Sequence, residues 1–297
     1  MARKLKGKDP TTAKPSKPKI LVYGKPGVGK TWTSLDFPSV YYIDTEGGAD
    51  LAHYTAKLKA SGGAYLGPAD GSNDFTTVID EIITLATTDH DYRTLVIDSY
   101  SKLFNTSIDI EYQRMQDAGR DMDKTFGAEK KPAIAYTRRM VRWFERLDMN
   151  VIMICHQKDL WKNGEQVGVT FDGWDKLEYE LHLALNISKQ GNSRKARVVK
   201  SRLEGFPEPD QFDWSYTAFA DKFGRTILEG KSTKLVLASD KQVKEIENLI
   251  EVLRVDQEII DKWYTKAGVE AFDEMDSELI TKCIEFLRAK LPADAKS

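Results

Sequence analysis

Residues 24–31 read GKPGVGKT, a match to G-x-x-x-x-G-K-[ST], and they follow the apolar run KILVYG (19–24) and precede a helix-like stretch. A chain carrying this motif in this setting is committed to a strand, a tight glycine-rich loop and a helix in succession. The glycines let backbone N–H groups wrap phosphate oxygens. Lys30 places a point charge on the β and γ groups, and the Thr31 hydroxyl is a ligand for Mg²⁺. The eight residues Gly24, Lys25, Pro26, Gly27, Val28, Gly29, Lys30 and Thr31 form the candidate triphosphate-binding loop.

Such a loop needs a carboxylate at the end of a neighbouring strand. TLVIDS (94–99) supplies Asp98, apolar on its approach and polar at its tip, as the second metal-side group. Two further continuous apolar runs, VYYID (40–44) and VIMIC (151–155), complete a set of central parallel strands. Between them, FTTVIDEIITLATT places Phe75, Val78, Ile79, Ile82, Ile83 and Ala86 on one helical face, and PAIAYTRRMVRWFERL opens with Pro132 at a first-turn position. Strand and helix alternate, so the predicted fold class is α/β. Two later runs, LHLALNIS and KARVVKSR, are joined by KQGNSR and read as a β-hairpin appended to the sheet.

The 297 residues accommodate one large core and a small accessory domain. The expected boundaries are a flexible basic arm over 1–18, a core over 19–238 and an acidic helical module over 239–297. Residues 1–19 hold seven Lys/Arg against one Asp, whereas 239–297 hold nine Lys/Arg against fourteen Asp/Glu, within a chain of net charge −2. In the last region Ser239 and Gln242 form a capping-box pattern ahead of three short amphipathic segments, and Gly268 is placed to stop the second. Cys155 and Cys283 are the only cysteines, and Cys155 ends an apolar run as a reduced buried thiol does. No apolar stretch is long enough for a membrane helix, and the basic N-terminus has no apolar segment behind it. A cytoplasmic protein, in the host cytoplasm if phage-encoded, is the expectation.

YYIDTEGGAD (41–50), TLVIDS, CHQ (155–157) and VVKSR (198–202), in that order, resemble the RecA-like ATPases over about residues 20–217. IDTEG is especially similar to the Rad-type recombinases, and the compact size resembles the phage recombination and single-strand-annealing group. The resemblance implies a RecA-like core of mainly parallel sheet, ATP and Mg²⁺ as cofactors, and Glu46 as general base for the attacking water. Asp44 and Asp50 are then turn and cap residues. It also implies that Gln157 senses the γ-phosphate, with His156 standing where the family has a small polar residue. Lys200 and Arg202, two apart on one strand face, would reach the ATP of an adjacent subunit, which implies a filament or ring. A helix-start carboxylate is the competing reading for Glu46, and a solvated strand face for Lys200 and Arg202.

By the same resemblance, the loop after Gln157 contacts single-stranded DNA. It contains Lys158, Trp161, Lys162, Phe171, Trp174 and Lys176, cations and aromatics suited to phosphates and base faces, although its aromatics could instead pack beneath it. A second stretch, 120–131, carries Arg120, Lys124, Lys130 and Lys131 among acids. The expected function is an ATP-dependent single-stranded-DNA-binding recombinase or annealing protein, with a single-strand-binding protein as a candidate partner. A DnaB-like helicase motor and a small-molecule P-loop kinase are the alternatives.

Overall fold

The structure, a computed structural model, describes residues 7, 9–12 and 15–291. Its elements run β1 (Lys19–Gly24), α1 (Lys30–Ser34), β2 (Val40–Asp44), α2 (Ala52–Ser61), β3 (Ala64–Leu66), α3 (Phe75–Thr87), β4 (Thr94–Asp98) and α4 (Tyr100–Asp117). They continue with α5 (Lys131–Arg146), β5 (Asn150–Lys162), β6 (Glu165–Phe171), α6 (Leu177–Glu180), β7 (Leu183–Gln190), β8 (Ser193–Ser201) and β9 (Gln211–Asp213). The remainder is helical: α7 (Tyr216–Phe223), α8 (Arg225–Glu229), α9 (Asp240–Leu253), α10 (Gln257–Ala267) and α11 (Ser277–Arg288). Two compact units emerge, one built on residues through Ile82 and His90–Ser232, the other on Ile83–Asp89 and residues from Thr233 onward.

In the first unit the sheet order is β3-β2-β4-β5-β1-β7-β8-β9. Strands β3, β2, β4, β5, β1 and β7 are mutually parallel, whereas β8 and β9 add antiparallel. This is the α/β fold expected, a mainly parallel sheet with an appended hairpin and C-terminal helices. Strands β1 and β4 are buried along their whole length, as apolar runs without alternation must be when both faces are covered. Ile20, Val22, Val96, Ile152 and Leu185 pack into one core with Phe37, Trp214 and Phe219.

Strand β5 runs further than the apolar pattern predicts. It is buried through Cys155, becomes exposed at His156, and there leaves the parallel sheet to pair antiparallel with β6. The expected DNA loop is therefore largely a two-stranded ribbon. Its turn is Asn163-Gly164, with φ of 54° and 82°, the left-handed pair that a two-residue hairpin turn requires.

Half of the basic arm expected over 1–18, residues 1–6, 8, 13 and 14, lies outside the described residues. Lys17 and Lys19 are buried: Lys17 donates to the Gly230 carbonyl at 2.5 Å, and Lys19 to those of Leu147 and Met149 at 2.8 and 2.6 Å.

In the second unit Ser239 and Gln242 form the reciprocal capping box, and Gly268, at φ 70°, caps α10. Ile246, Ile260, Ile280, Ile284 and Leu287 from the three helices share a core with Phe272 and Met275.

Candidate active site

The parallel topology brings the C-terminal ends of β1, β2, β4 and β5 to one edge of the sheet, where the chain turns away and polar side chains become accessible. At the end of β1, a Cβ on Gly24 would stand 2.3 Å from the Ile187 carbonyl oxygen, so β7 leaves no room for a side chain there. Gly27 and Gly29 adopt φ of +74° and +89°, the left-handed conformation that turns successive N–H groups inward. Lys30 lies at the start of α1 with its ammonium donating to the Gly24 and Lys25 carbonyls at 2.9 and 3.1 Å, folded back across the loop.

Thr31 donates to Asp98 Oδ2 at 2.5 Å, and Tyr42 donates to the same oxygen at 3.3 Å. Asp98 is buried, and this burial pushes its carboxyl up to about 6 against the opposing bond from Thr31. A hydroxyl and a carboxylate this close are of the oxygen-donor type that can hold a divalent cation such as magnesium.

Glu46 sits on the turn after β2, and that turn is built by Asp44. The buried Asp44 carboxylate accepts from the backbone N–H groups of Glu46, Gly47 and Ala49 at 3.0, 3.1 and 2.6 Å. Thr45 ties the turn to the end of β4: its hydroxyl accepts from the Ser99 N–H at 2.8 Å and donates to the Ser99 carbonyl at 3.0 Å. The Glu46 carboxylate then accepts from Ser99 Oγ at 2.6 Å and from His156 Nε2 at 2.5 Å, both through Oε1. No described residue donates to Oε2. The His156 bond, with Ser99 assisting, holds the Glu46 carboxyl down at about 2, and the same bond raises His156 above its ordinary 6.5.

The His156 contribution is fully present below its unfolded value and is lost as pH rises through the raised folded value. The Glu46 contribution is present above its unfolded value of 4.5 and is lost as pH falls toward about 2. In a proton NMR titration of the four histidines, His156 should titrate with a midpoint above 6.5, and Glu46→Gln should move that midpoint down. An unmoved midpoint would mean that the pair does not form in solution.

Gln157 is half-buried and accepts from Asn186 Nδ2 at 3.3 Å. Gly24, Pro26, Gly27, Lys30, Thr31, Glu46, Asp98, His156 and Gln157 together line one cavity of about 430 Å³. Lys200 and Arg202 lie elsewhere. Lys200 pairs with Ala184 at the start of β7, whereas the phosphate loop adjoins Ile187, further along that strand. Their cationic heads donate to the carbonyls of Leu181 and Tyr179 respectively.

The expected DNA-contacting residues divide. Trp161 is 62% exposed and Lys162 is exposed, both on the ribbon, and Lys176 is exposed just before α6. Lys158 is half-buried, 3.8 Å from Asp172 and 3.7 Å from Asp175. Phe171 and Trp174 require correction as DNA contacts, because they are only 3% and 8% exposed. Phe171 ends β6 against the Tyr23 ring, and Trp174 lies under the Arg138 guanidinium. The charge pattern of 120–131 also hid Phe126, which is 94% exposed beside Gly127. A lone aromatic in a polar, glycine-containing stretch was the signal for it.

A family model described as AAA domain matches residues 16–202. A solved structure, described as the crystal structure of the RadB recombinase, is similar over 66% of this chain and 86% of that one, with 18% sequence identity and a TM-score of 0.43. No curated protein matches the chain. Among the described residues no helix is long and apolar enough to cross a membrane.

Proposed function

The chain belongs to the AAA domain family, and from that premise we propose that it hydrolyses ATP in the phosphate-loop cavity and couples turnover to single-stranded DNA, as a recombinase or annealing protein. The observation that carries the ATPase reading is Glu46, fixed through Oε1 to Ser99 and His156 on the wall of a cavity that also holds Lys30, Thr31 and Asp98. Its Oε2 is available to accept a hydrogen bond from water. Glu46 orients that water in line with the γ-phosphate and accepts its proton as the reaction proceeds. This suits a loose phosphoryl-transfer transition state, in which proton removal is not demanded early. Lys30 moves from its loop carbonyls onto the phosphates when they arrive. Thr31 and Asp98 would hold a magnesium ion beside the phosphates, and the ion would supply positive charge against the charge that builds on the transferred group.

The ribbon carries the DNA reading. Strand β5 runs from His156 and Gln157 at the cavity to Trp161 at the exposed end, with a register shift in its pairing with β6 between Leu160 and Trp161. Trp161 and Phe126 offer aromatic faces to unstacked bases, and Lys162, Lys176 and Lys130 offer charge to phosphates. Lys200 and Arg202 act in trans on a neighbouring copy in a filament or ring, which their place away from their own cavity permits.

Phosphate release measured with and without single-stranded DNA tests this reading, alongside binding by fluorescence anisotropy. Stimulation by the strand is expected, and Trp161→Ala or Phe126→Ala should weaken strand binding by about tenfold each. A monomeric ATPase indifferent to DNA would sink the recombinase reading. Duplex unwinding with directional bias would favour the helicase alternative instead.

A further inference from the structure

Arg194 lies at the turn end of the β7–β8 hairpin, paired with Lys189. A Cβ placed on Gly29 would stand 2.0 Å from Arg194 Nε, 2.5 Å from Cδ and 3.0 Å from Cζ. The arginine stem and the near edge of its guanidinium therefore fill the space beside the residue that precedes Lys30. The adjacent Lys195 is paired with Asp213 at 2.6 Å. By contrast, Arg194 is half-buried and no carboxylate pairs with it among the described residues. A guanidinium held against the loop in this way keeps a flat face and free N–H groups for another partner.

Its position in the sheet decides which partner. The strand order about the loop is β2-β4-β5-β1-β7-β8, and the groups placed for the terminal phosphate and the metal, Glu46, Asp98 and His156, all come from the β2, β4 and β5 side of β1. Arg194 comes from the opposite side. A triphosphate lying along the loop with its γ end toward Glu46 must run its α end and its nucleoside toward β7 and β8. From this geometry we infer that Arg194 is a nucleoside-positioning residue whose guanidinium packs on the base of the nucleoside triphosphate bound by the same chain. The inference rests on the ATPase reading above. The attraction is that of a planar cation for a π face, which an ammonium matches poorly in shape.

Calorimetric titration of the full chain with ATP, and separately with inorganic tripolyphosphate, tests it, because tripolyphosphate engages the loop but has no base. Arg194→Ala should weaken ATP binding by about tenfold and change tripolyphosphate binding by less than about twofold. Retained tripolyphosphate binding also reports an intact loop. Arg194→Lys, which keeps the charge without the plane, should recover less than half of the lost ATP affinity. Unchanged ATP affinity in Arg194→Ala would overturn the inference. So would an equal loss for both ligands, or full rescue by lysine. Failure of the wild-type chain to bind ATP at all would overturn the ATPase reading and this inference with it, an outcome separable from the other three.

Discussion

Glu46→Gln should hydrolyse ATP about 10²- to 10⁴-fold more slowly than the wild type while binding it with unchanged affinity. The amide oxygen can still accept from Ser99, whose hydroxyl lies 2.6 Å from the present Oε1, so the turn keeps its shape. The amide nitrogen at the other position is a donor and cannot accept from the attacking water. Binding depends on the loop and Lys30, which the substitution leaves alone. Phosphate release and calorimetric affinity, measured on the same preparation, separate the two effects. A glutamine variant that turns over at the wild-type rate would remove Glu46 from the reaction. His156→Ala is the informative companion: it takes away the hydrogen bond that holds Glu46 near 2 but leaves the carboxylate, so it should cost much less turnover than Glu46→Gln.

Asp44→Ala should be among the most destabilising single substitutions in the first unit, by about 3 kcal/mol. Its carboxylate is 1% exposed and accepts from three backbone N–H groups, none of which an alanine can satisfy. For a unit of this size the melting temperature should fall by roughly 6–12 °C. Asp44→Asn retains one oxygen and should lose roughly half as much. ATP turnover should fall in parallel, because the Glu46 backbone is one of the three groups that Asp44 holds. A thermal melt of Asp44→Ala within about 2 °C of wild type would show that the turn is set by something else.

Glu46 and Asp44 lie two residues apart in a stretch whose acids look alike in the sequence. Their divergence shows where local reading stops. One carboxylate is buried as a backbone cap; the other is half-exposed and faces Ser99 and His156, residues that arrive from β4 and β5. No spacing rule within 41–50 distinguishes them. The same holds for the aromatics after Gln157. Phe171, Trp174 and Trp161 occupy one polar stretch, yet two are buried and one is exposed, because β6 folds back along β5 and carries Phe171 onto Tyr23. The Asn163-Gly164 dipeptide that makes this turn is a hairpin signal, but the stretch after Gln157 was expected to be a loop. Arg194 offered no such signal, since its contact with Gly29 joins positions far apart in the chain.

What the sequence by itself determined was whatever depends on neighbours along the chain. That includes the conformation of the phosphate loop, the central strands as unbroken apolar runs, and the capping box of Ser239 and Gln242. These follow from backbone sterics, side-chain period and hydrogen bonds a few residues long. Only the tertiary structure decided which chemical groups share a cavity. It set β4 and β5 on one side of β1 and β7 and β8 on the other, and so brought Glu46, Ser99 and His156 together, put Arg194 on Gly29, and left Lys200 and Arg202 outside their own site. Strand order is chosen by the burial of whole faces and the closure of long crossovers, and no short window of sequence contains it.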